Sequence, residues 1–514
     1  MSVTARGSGL GEPVRRKEDL RLITGKGRFS DDVNFPQQVF AAVVRSPHAH
    51  ARIGPIDISN ASAMPGVLAV LSAQDMLADG FQPIPHHQFT SHPADMPLAR
   101  KGDYVFKAPT YPLAVGKVRH VGEAVVLVVA TTVNIAKDAA EIIEIDYEVL
   151  PAVTATLAAA EPNAPRLFDE AASNVCLDVV VGDTEATDAA FGRAAHVAKL
   201  DTWVKRVTGV PMEPRAAVGA YDPATQRYTL HAGSGGAVRL KQDVAVVPNV
   251  PPDNVRVLMD DVGGNFGTRG AIYPEFVLVA WASRRVGRPV KWTCDRSEAF
   301  VSDYQGRDLA VTAELALDAE GNFLALRGSN VGNAGGYPQN FAPLQKGVAI
   351  VSSIYRVPVA CFRARAVVSN TTPTRPYRSA GRPEVMYVME RLIDLAAAEF
   401  GFDRIELRRR NLVTTAELPY ANPMGMTYDS GDYPEGMSKA LRLGDWSGFP
   451  ARREEARARG KCRGIGIANY VDSATGFPRE RAELTVHSNG TVDLVLGVVS
   501  QGQGHETSFA QVVV

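Results

Sequence analysis

The chain predicts a mixed fold, α+β or α/β, on three observations. Apolar patterns of helical period and of strand period alternate along most of its length. Residues 384–401 form an amphipathic helix with a clear stop signal. Residues 481–500 read as a hairpin, two alternating runs joined at Asn489-Gly490. The 514 residues exceed what one hydrophobic core serves and point to roughly two to four domains. A 45% apolar composition supplies material for large cores.

Residues 40–53, FAAVVRSPHAHARI, and 122–132, GEAVVLVVATT, are rich in Val and small residues and read as strands. Residues 134–151 begin with helical spacing and end as a strand closed by Pro151. The Ala/Pro-rich stretch 154–165 carries no periodic pattern and is the expected domain boundary. Beyond it, 227–233 reads as a strand, 237–247 as a helix, and 253–270 as a strand running into a glycine-rich loop. A helix over 274–287 closes on Gly287, and 288–296 is another strand. In the helix 384–401, Val385, Val388, Met389, Leu392, Leu395 and Ala396 recur at i, i+3, i+4 spacing. Gly401 stands where a left-handed residue ends such a helix.

Three glycine-bearing loops carry the candidate chemistry. The first, Val262-Gly263-Gly264-Asn265-Phe266-Gly267-Thr268, leaves a strand and enters a helix. Its glycines let backbone N–H groups approach a ligand closely and form an anion-binding concavity, with the helix N-terminus beyond adding favourable potential. A tight strand-to-helix turn is the plainer alternative. The loop matches neither G-x-G-x-x-G nor the P-loop, which leaves NAD or ATP binding poorly supported. The second, PTRPYRSAGRPE (373–384), is stiff and basic. Its arginines suit an anion or a carbonyl, or ion pairs with nearby carboxylates. The third is QGQGHET (501–507), on the exit of the hairpin. Gln501 and Gln503 each offer amide donors and an acceptor, a set that fits a planar polar ligand such as a pterin or a purine. His505 and Glu506 are adjacent on a helix and point apart, so capping and surface contacts suit them better than one shared metal.

Composition narrows the partners. With 55 basic and 56 acidic residues the net charge is −1, which argues against nucleic-acid or anionic-membrane binding. No apolar run approaches the roughly 20 residues of a membrane span, and no signal-peptide apolar region follows the N-terminus. The expected location is cytoplasmic. Four cysteines, Cys176, Cys294, Cys361 and Cys462, are far apart and form no C-x-x-C pair. They predict ordinary core or surface thiols rather than disulfides, zinc or iron–sulfur ligation.

Taken together, GEPVRRKEDLRLITGKGRFSDDV (11–33), RSPHAHARI (45–53), VGEAVVLVVA (121–130), IDYEVLPAV (145–153), PMEPRAAVGAYD (211–222), the Gly263–Gly267 loop, PYRSAGRPE (376–384), ERLIDLAAAEFGFDRIELRRRNL (390–412) and QGQGHET resemble, in order, the molybdenum-binding large subunit of the xanthine dehydrogenase / aldehyde oxidase / aerobic carbon monoxide dehydrogenase family. The resemblance covers nearly the whole chain. It implies an α+β protein: an α/β hammerhead domain over 1–153, a linker over 154–165, a first molybdopterin-binding domain over 166–430, and the start of a second, incomplete one over 431–514. It implies a molybdenum–molybdopterin cofactor, in its cytosine dinucleotide form, and hydroxylation of an aldehyde or N-heteroaromatic C–H carbon with oxygen from water. Residue by residue, Gln501, Gly502, Gln503 and Gly504 would hydrogen-bond the pterin and its phosphate region. Gly264, Phe266 and Gly267 would lie beside the molybdenum and offer backbone N–H groups. Arg378 would orient substrate and stabilise developing negative charge. No protein residue is expected to ligate the metal. Electrons need an exit, and the chain's cysteine poverty implies that a small [2Fe-2S] subunit and a medium FAD subunit supply it, in a dimer of heterotrimers.

The chain departs from the family at several points. Ser379 stands where carbon monoxide dehydrogenases carry a copper-binding cysteine, and a hydroxyl is a poor Cu(I) ligand. Gly235 stands where many members have a glutamine. Asn265 and Arg269 replace a glycine and a lysine. Family members also continue past the Gln-Gly-Gln-Gly loop into a stretch that carries the catalytic glutamate. Here a helix begins at about Glu506, and Val512-Val513-Val514 follow within two turns. The expectation is a truncated or split large subunit, catalytic only when completed. The alternative is a non-catalytic cofactor-binding or assembly fragment.

Overall fold

The computed structural model describes residues 10–87, 106, 108–472 and 481–513. The first nine residues and Val514, on which the readings of the two chain ends partly fall, lie outside the described residues.

Two sheets organise the molecule. The larger has seven strands, in the order Val255–Leu258, Arg227–Ala232, Ala216–Asp222, Val290–Thr293, Val39–Arg45, Ala124–Ala130 and Val67–Leu71. Its centre is a parallel pairing of Val39 with Val290, so strands from residues 39–130 and 216–293 share one continuous ladder. Helices Ala237–Val246 and Pro274–Val286 pack on it. Their shared core includes Trp281, Trp292, Phe276 and Tyr273. The strand 124–130 is buried at every position. Its unbroken Ala/Val/Leu run is what a strand covered on both faces requires.

The second sheet has five strands, in the order Val175–Gly182, Val359–Val368, Phe323–Gly335, Leu309–Leu317 and His196–Val204. Helix Arg382–Phe400 lies against it. Val385, Val388, Met389, Leu392 and Ala396 are buried, as the helical spacing predicts. Gly401 ends the helix at φ 78°. Gly287 ends helix Pro274–Val286 in the same way at φ 66°. The hairpin Ala482–Val486 / Val492–Leu496 forms with Asn489-Gly490 in its loop. Helices and strands are mixed in both layers, an α+β architecture.

Three local readings change. The run 40–53 is two strands, Val39–Arg45 and Ala51–Asp57, in different sheets. Pro47 supplies no donor, and Ser46 folds the chain between them by accepting from His48 N–H at 3.0 Å. The stretch 154–165 contains a helical turn, Thr156–Ala159, whose buried Thr156 donates to Asp308 at 2.7 Å. The first glycine loop does not open directly into a helix. The strand before it ends at Leu258 and the next helix starts at Pro274. A turn closed by Gly270 N–H on the Gly267 carbonyl, 3.1 Å, intervenes and keeps that helix N-terminus away from the glycines.

Candidate functional site

Four loops converge at one edge of the large sheet. The strand Arg227–Ala232 runs into 233–236, and the strand Val255–Leu258 into 259–273. These strands are parallel neighbours, so their following loops emerge side by side. Gly235 N–H and the Ser234 hydroxyl both donate to the Arg269 carbonyl, at 3.2 and 3.1 Å. The third loop, 376–381, lies on the second: Arg378 N–H donates to the Phe266 carbonyl at 2.9 Å. A Cβ on Gly267, which has φ 93°, would run into the Pro376 carbonyl. Only glycine allows that approach. The fourth loop, 501–504, reaches the first through Gln501 Nε2, 3.3 Å from the Ser234 carbonyl.

The structure therefore brings Gly264, Phe266 and Gly267 against Arg378, and Gln501 against the loop beside them. Gly502, Gln503 and Gly504 continue from Gln501, with Gly502 at φ 110° and Gly504 at φ 79°. Each glutamine uses half of its amide internally. Gln501 Nε2 is taken by Ser234, and Gln503 Oε1 accepts from Gln501 N–H. Gln501 Oε1 and Gln503 Nε2 have no partner among the described residues, leaving one acceptor and one donor outward. Gly264 and Phe266 N–H are likewise open, whereas Gly267 N–H is spent on Asn265 Oδ1 at 2.8 Å. Among the described residues no group of three or more His, Cys, Asp or Glu side chains is arranged to hold a metal ion.

The departures at 235 and 265 are coupled. Asn265 is 6% exposed, and a Cβ on Gly235 would sit 2.9 Å from its Nδ2. The asparagine amide fills the space that a side chain at 235 would enter. Each residue is visible in the sequence, but their contact spans 30 positions and depends on how both loops close.

Sequence reasoning missed two further layers. Behind the glycine loop, Glu213 accepts from Gly263 N–H at 2.7 Å and from Ser30 N–H at 3.2 Å. Burial raises its pKa, against those hydrogen bonds and the nearby Arg269 charge. Arg269, 2% exposed, lies 3.9 Å from Glu213 and 3.8 Å from Asp303, too far for hydrogen bonds. Its Nε and Nη2 have no partner, and burial lowers its pKa. These orphaned donors behind a glycine cradle, with the open amides in front, are the donor set an anionic, oxygen-rich cofactor requires. The second layer is the N-terminal segment. Lys17 N–H donates to Thr507 Oγ1 at 2.7 Å, Thr507 donates to Glu18 at 2.5 Å, and Arg16 donates to the Gly502 carbonyl at 3.3 Å. Arg21 bridges Asp261 and Glu506, each at 2.5 Å. Glu506 thus makes a surface ion pair.

Comparison with known proteins gives the same sites a context. Residues 24–151 match the aldehyde oxidase and xanthine dehydrogenase a/b hammerhead domain. Residues 167–412 and 439–514 match two molybdopterin cofactor-binding domains. The gamma subunit of the 6-hydroxypseudooxynicotine dehydrogenase complex of Paenarthrobacter nicotinovorans is 35% identical over 98% of this chain and 63% of its own length. The carbon monoxide dehydrogenase large chain of Afipia carboxidovorans is 32% identical over 98% of this chain and 64% of its own. Quinoline 2-oxidoreductase from Pseudomonas putida 86 superposes with a TM-score of 0.89 at 34% identity, over 97% of this chain and 64% of that one. A Cu,Mo-CO dehydrogenase gives 0.87 at 31% identity, over 99% and 66%. The chain thus spans 62–64% of the length of these curated relatives and of the nicotine 6-hydroxylase large subunit of Paenarthrobacter nicotinovorans.

Proposed function

Because the chain belongs to the xanthine dehydrogenase / aldehyde oxidase / carbon monoxide dehydrogenase family of molybdenum-binding large subunits, we propose that it is the cofactor-binding part of a molybdenum hydroxylase acting on an N-heteroaromatic or aldehyde substrate. The observation that carries this reading is the four-loop cleft, with its outward Gln501 acceptor and Gln503 donor and its open Gly264 and Phe266 amides. When bound, the molybdopterin cofactor, in the proposed cytosine dinucleotide form, supplies two-electron oxidation of a C–H carbon with oxygen from water.

The chain's own residues bind and orient. Gln501 Oε1 and Gln503 Nε2 pair with complementary edges of a pterin. Gly502 and Gly504 let the backbone close around its phosphate region. Gly264 and Phe266 present N–H groups, and Gly267 contributes close approach, since its own N–H is engaged by Asn265. Arg378, exposed on the facing loop, steers the substrate and meets developing negative charge. Ser379 in place of a thiolate removes the ligand that Cu(I) needs, which sets carbon monoxide aside as substrate. We assign the division 1–153, 154–165, 166–430 and 431–514 to the hammerhead, linker and two cofactor domains. Electron transfer runs to [2Fe-2S] and FAD subunits in a cytoplasmic assembly, a dimer of heterotrimers. The described residues contain no helix long and apolar enough to cross a membrane.

Changing Gln503 to Ala tests the reading. Bound molybdenum, measured by elemental analysis of the purified complex, and turnover are expected to fall together. Full occupancy with normal turnover would reject the role given to this loop. A second reading is a cofactor-binding or assembly fragment without turnover of its own. Molybdenum bound without turnover in the reconstituted complex selects that reading.

A further inference from the structure

A further group of side chains meets loop 376–381 beside the glycine loop. Arg378, Ser379, Ala380 and Gly381 follow one another at left-handed φ values of 26°, 68°, 32° and 87°. A Cβ at Gly381 would run into the Pro343 carbonyl, so the run is anchored by a position that only glycine fills. Strain of this kind persists where the surroundings over-determine it, and it marks candidate sites. Its result is the placement of Ser379 Oγ. That oxygen lies 2.8 Å from the Tyr470 hydroxyl and donates to Asp472 Oδ2. Tyr470 donates to the same carboxylate oxygen at 3.0 Å. Arg382, 4% exposed, holds Oδ1 at 2.9 Å.

Counting hydrogens decides what this cluster offers a ligand. Two hydroxyl hydrogens are present, and both are spent among Ser379, Tyr470 and Asp472. The Ser379 and Tyr470 oxygens keep lone pairs and have no hydrogen left to give. Tyr470 is 49% exposed and the Asp472 side chain 38% exposed, so the edge is accessible. It adjoins the glycine loop, because Arg378, one residue from Ser379, is bonded to Phe266.

We propose that Ser379, Tyr470 and Asp472 form an acceptor edge of the substrate site that selects ligands bearing a hydrogen-bond donor, a heteroaromatic ring N–H above all. The inference rests on reading the neighbouring cleft as the cofactor and substrate site, and it names the substrate class. A ring N–H that leaves water regains a partner here. An acceptor-only group brought to the same edge faces lone pairs and stays unsatisfied, and sites built on such polar contacts discriminate strongly. Simple aldehydes offer no donor and gain nothing from it.

Indole and benzofuran provide the test, since they share a shape and differ in N–H against ring oxygen. Their binding to the full chain in its purified complex is measured by ligand-observed NMR. Indole is expected to bind at least about fivefold more tightly. Asp472→Asn brings its own amide donors and releases the hydroxyl hydrogens, so the ratio should fall to about one. Tyr470→Phe, with a native melting profile, should lower it part way. Equal affinities in the unaltered protein, or an unchanged ratio in Asp472→Asn, overturn the proposal. Molybdenum content of the same preparations separates the two levels. Normal content without preference rejects the acceptor edge alone. Absence of molybdenum rejects the cofactor reading beneath it.

Discussion

At the scale of single residues, Asn265 and Gly235 behave as one feature. The buried amide of Asn265 accepts Gly267 N–H with its oxygen and covers Gly235 with its nitrogen. Gly235→Gln should therefore overpack the first loop and destabilise the protein by about 1–3 kcal/mol. Adding Asn265→Gly should recover only part of the loss, because the Gly270 Cα stands as close to a Cβ at 235, also 2.9 Å, as the amide does. A double-mutant cycle of thermal melts reads that coupling directly. Independent effects of the two changes would show that the amide does not fill that space. The glycines, Arg378 and both glutamines were legible in the sequence because their chemistry is carried by residue type and local spacing. Asn265 over Gly235, and Ser379 against Tyr470 and Asp472, were not. Both are meetings of distant loops, and no local pattern encodes which loops will touch.

At the scale of elements, helix Pro274–Val286 begins on a buried charge. Glu275 is 2% exposed and receives Arg215 at 2.5 Å and Arg45 at 2.6 Å. Burial alone raises its pKa, but the two guanidinium charges outweigh it and hold the carboxyl at about 2. A carboxyl depressed in the folded state stabilises above its ordinary value of 4.5, and that stability disappears as pH falls through about 2. Glu275→Gln leaves two buried cations short of a partner and should cost about 3–5 kcal/mol near neutral pH. The gap in melting temperature between the two proteins should narrow between about pH 4.5 and 2. A gap independent of pH would deny the ion pairs their part. Helix 382–400 and the Asn-Gly hairpin could be read from the sequence because period and turn chemistry are local properties. The break at Ser46–His50 carries a local signal, Ser46-Pro47, but the separation of its two halves into different sheets was hidden, since it rests on sheet pairing. The hairpin's setting was hidden too. Every residue of Ala482–Val486 is exposed, and an uncovered two-stranded ribbon is marginal in water.

At the scale of the whole molecule, the fold class was legible and the pairing that unites it was not. Parallel pairing of Val39–Arg45 with Val290–Thr293 joins segments some 250 residues apart, and apolar strand patterns do not name their neighbours. The same distance problem governs the N-terminal segment, whose contacts with helix His505–Val513 include Thr507, Glu506 and Gln511. Thr507→Val keeps the shape and removes the hydroxyl that serves both Lys17 and Glu18. Amide hydrogen exchange should then quicken in 16–28 and 505–513 together, by about five- to tenfold. Acceleration in one segment alone would show that they do not hold each other. The Lys17–Thr507 bond closes across 490 positions. At about 5–20 residues per second of synthesis, roughly 25–100 s separate the appearance of its two ends. During that interval the Arg21 clasp on Asp261 lacks its second anchor, Glu506, and the glycine loop rests on an unfinished support. The support of the glycine loop is therefore complete only once residues 505–513 have been made.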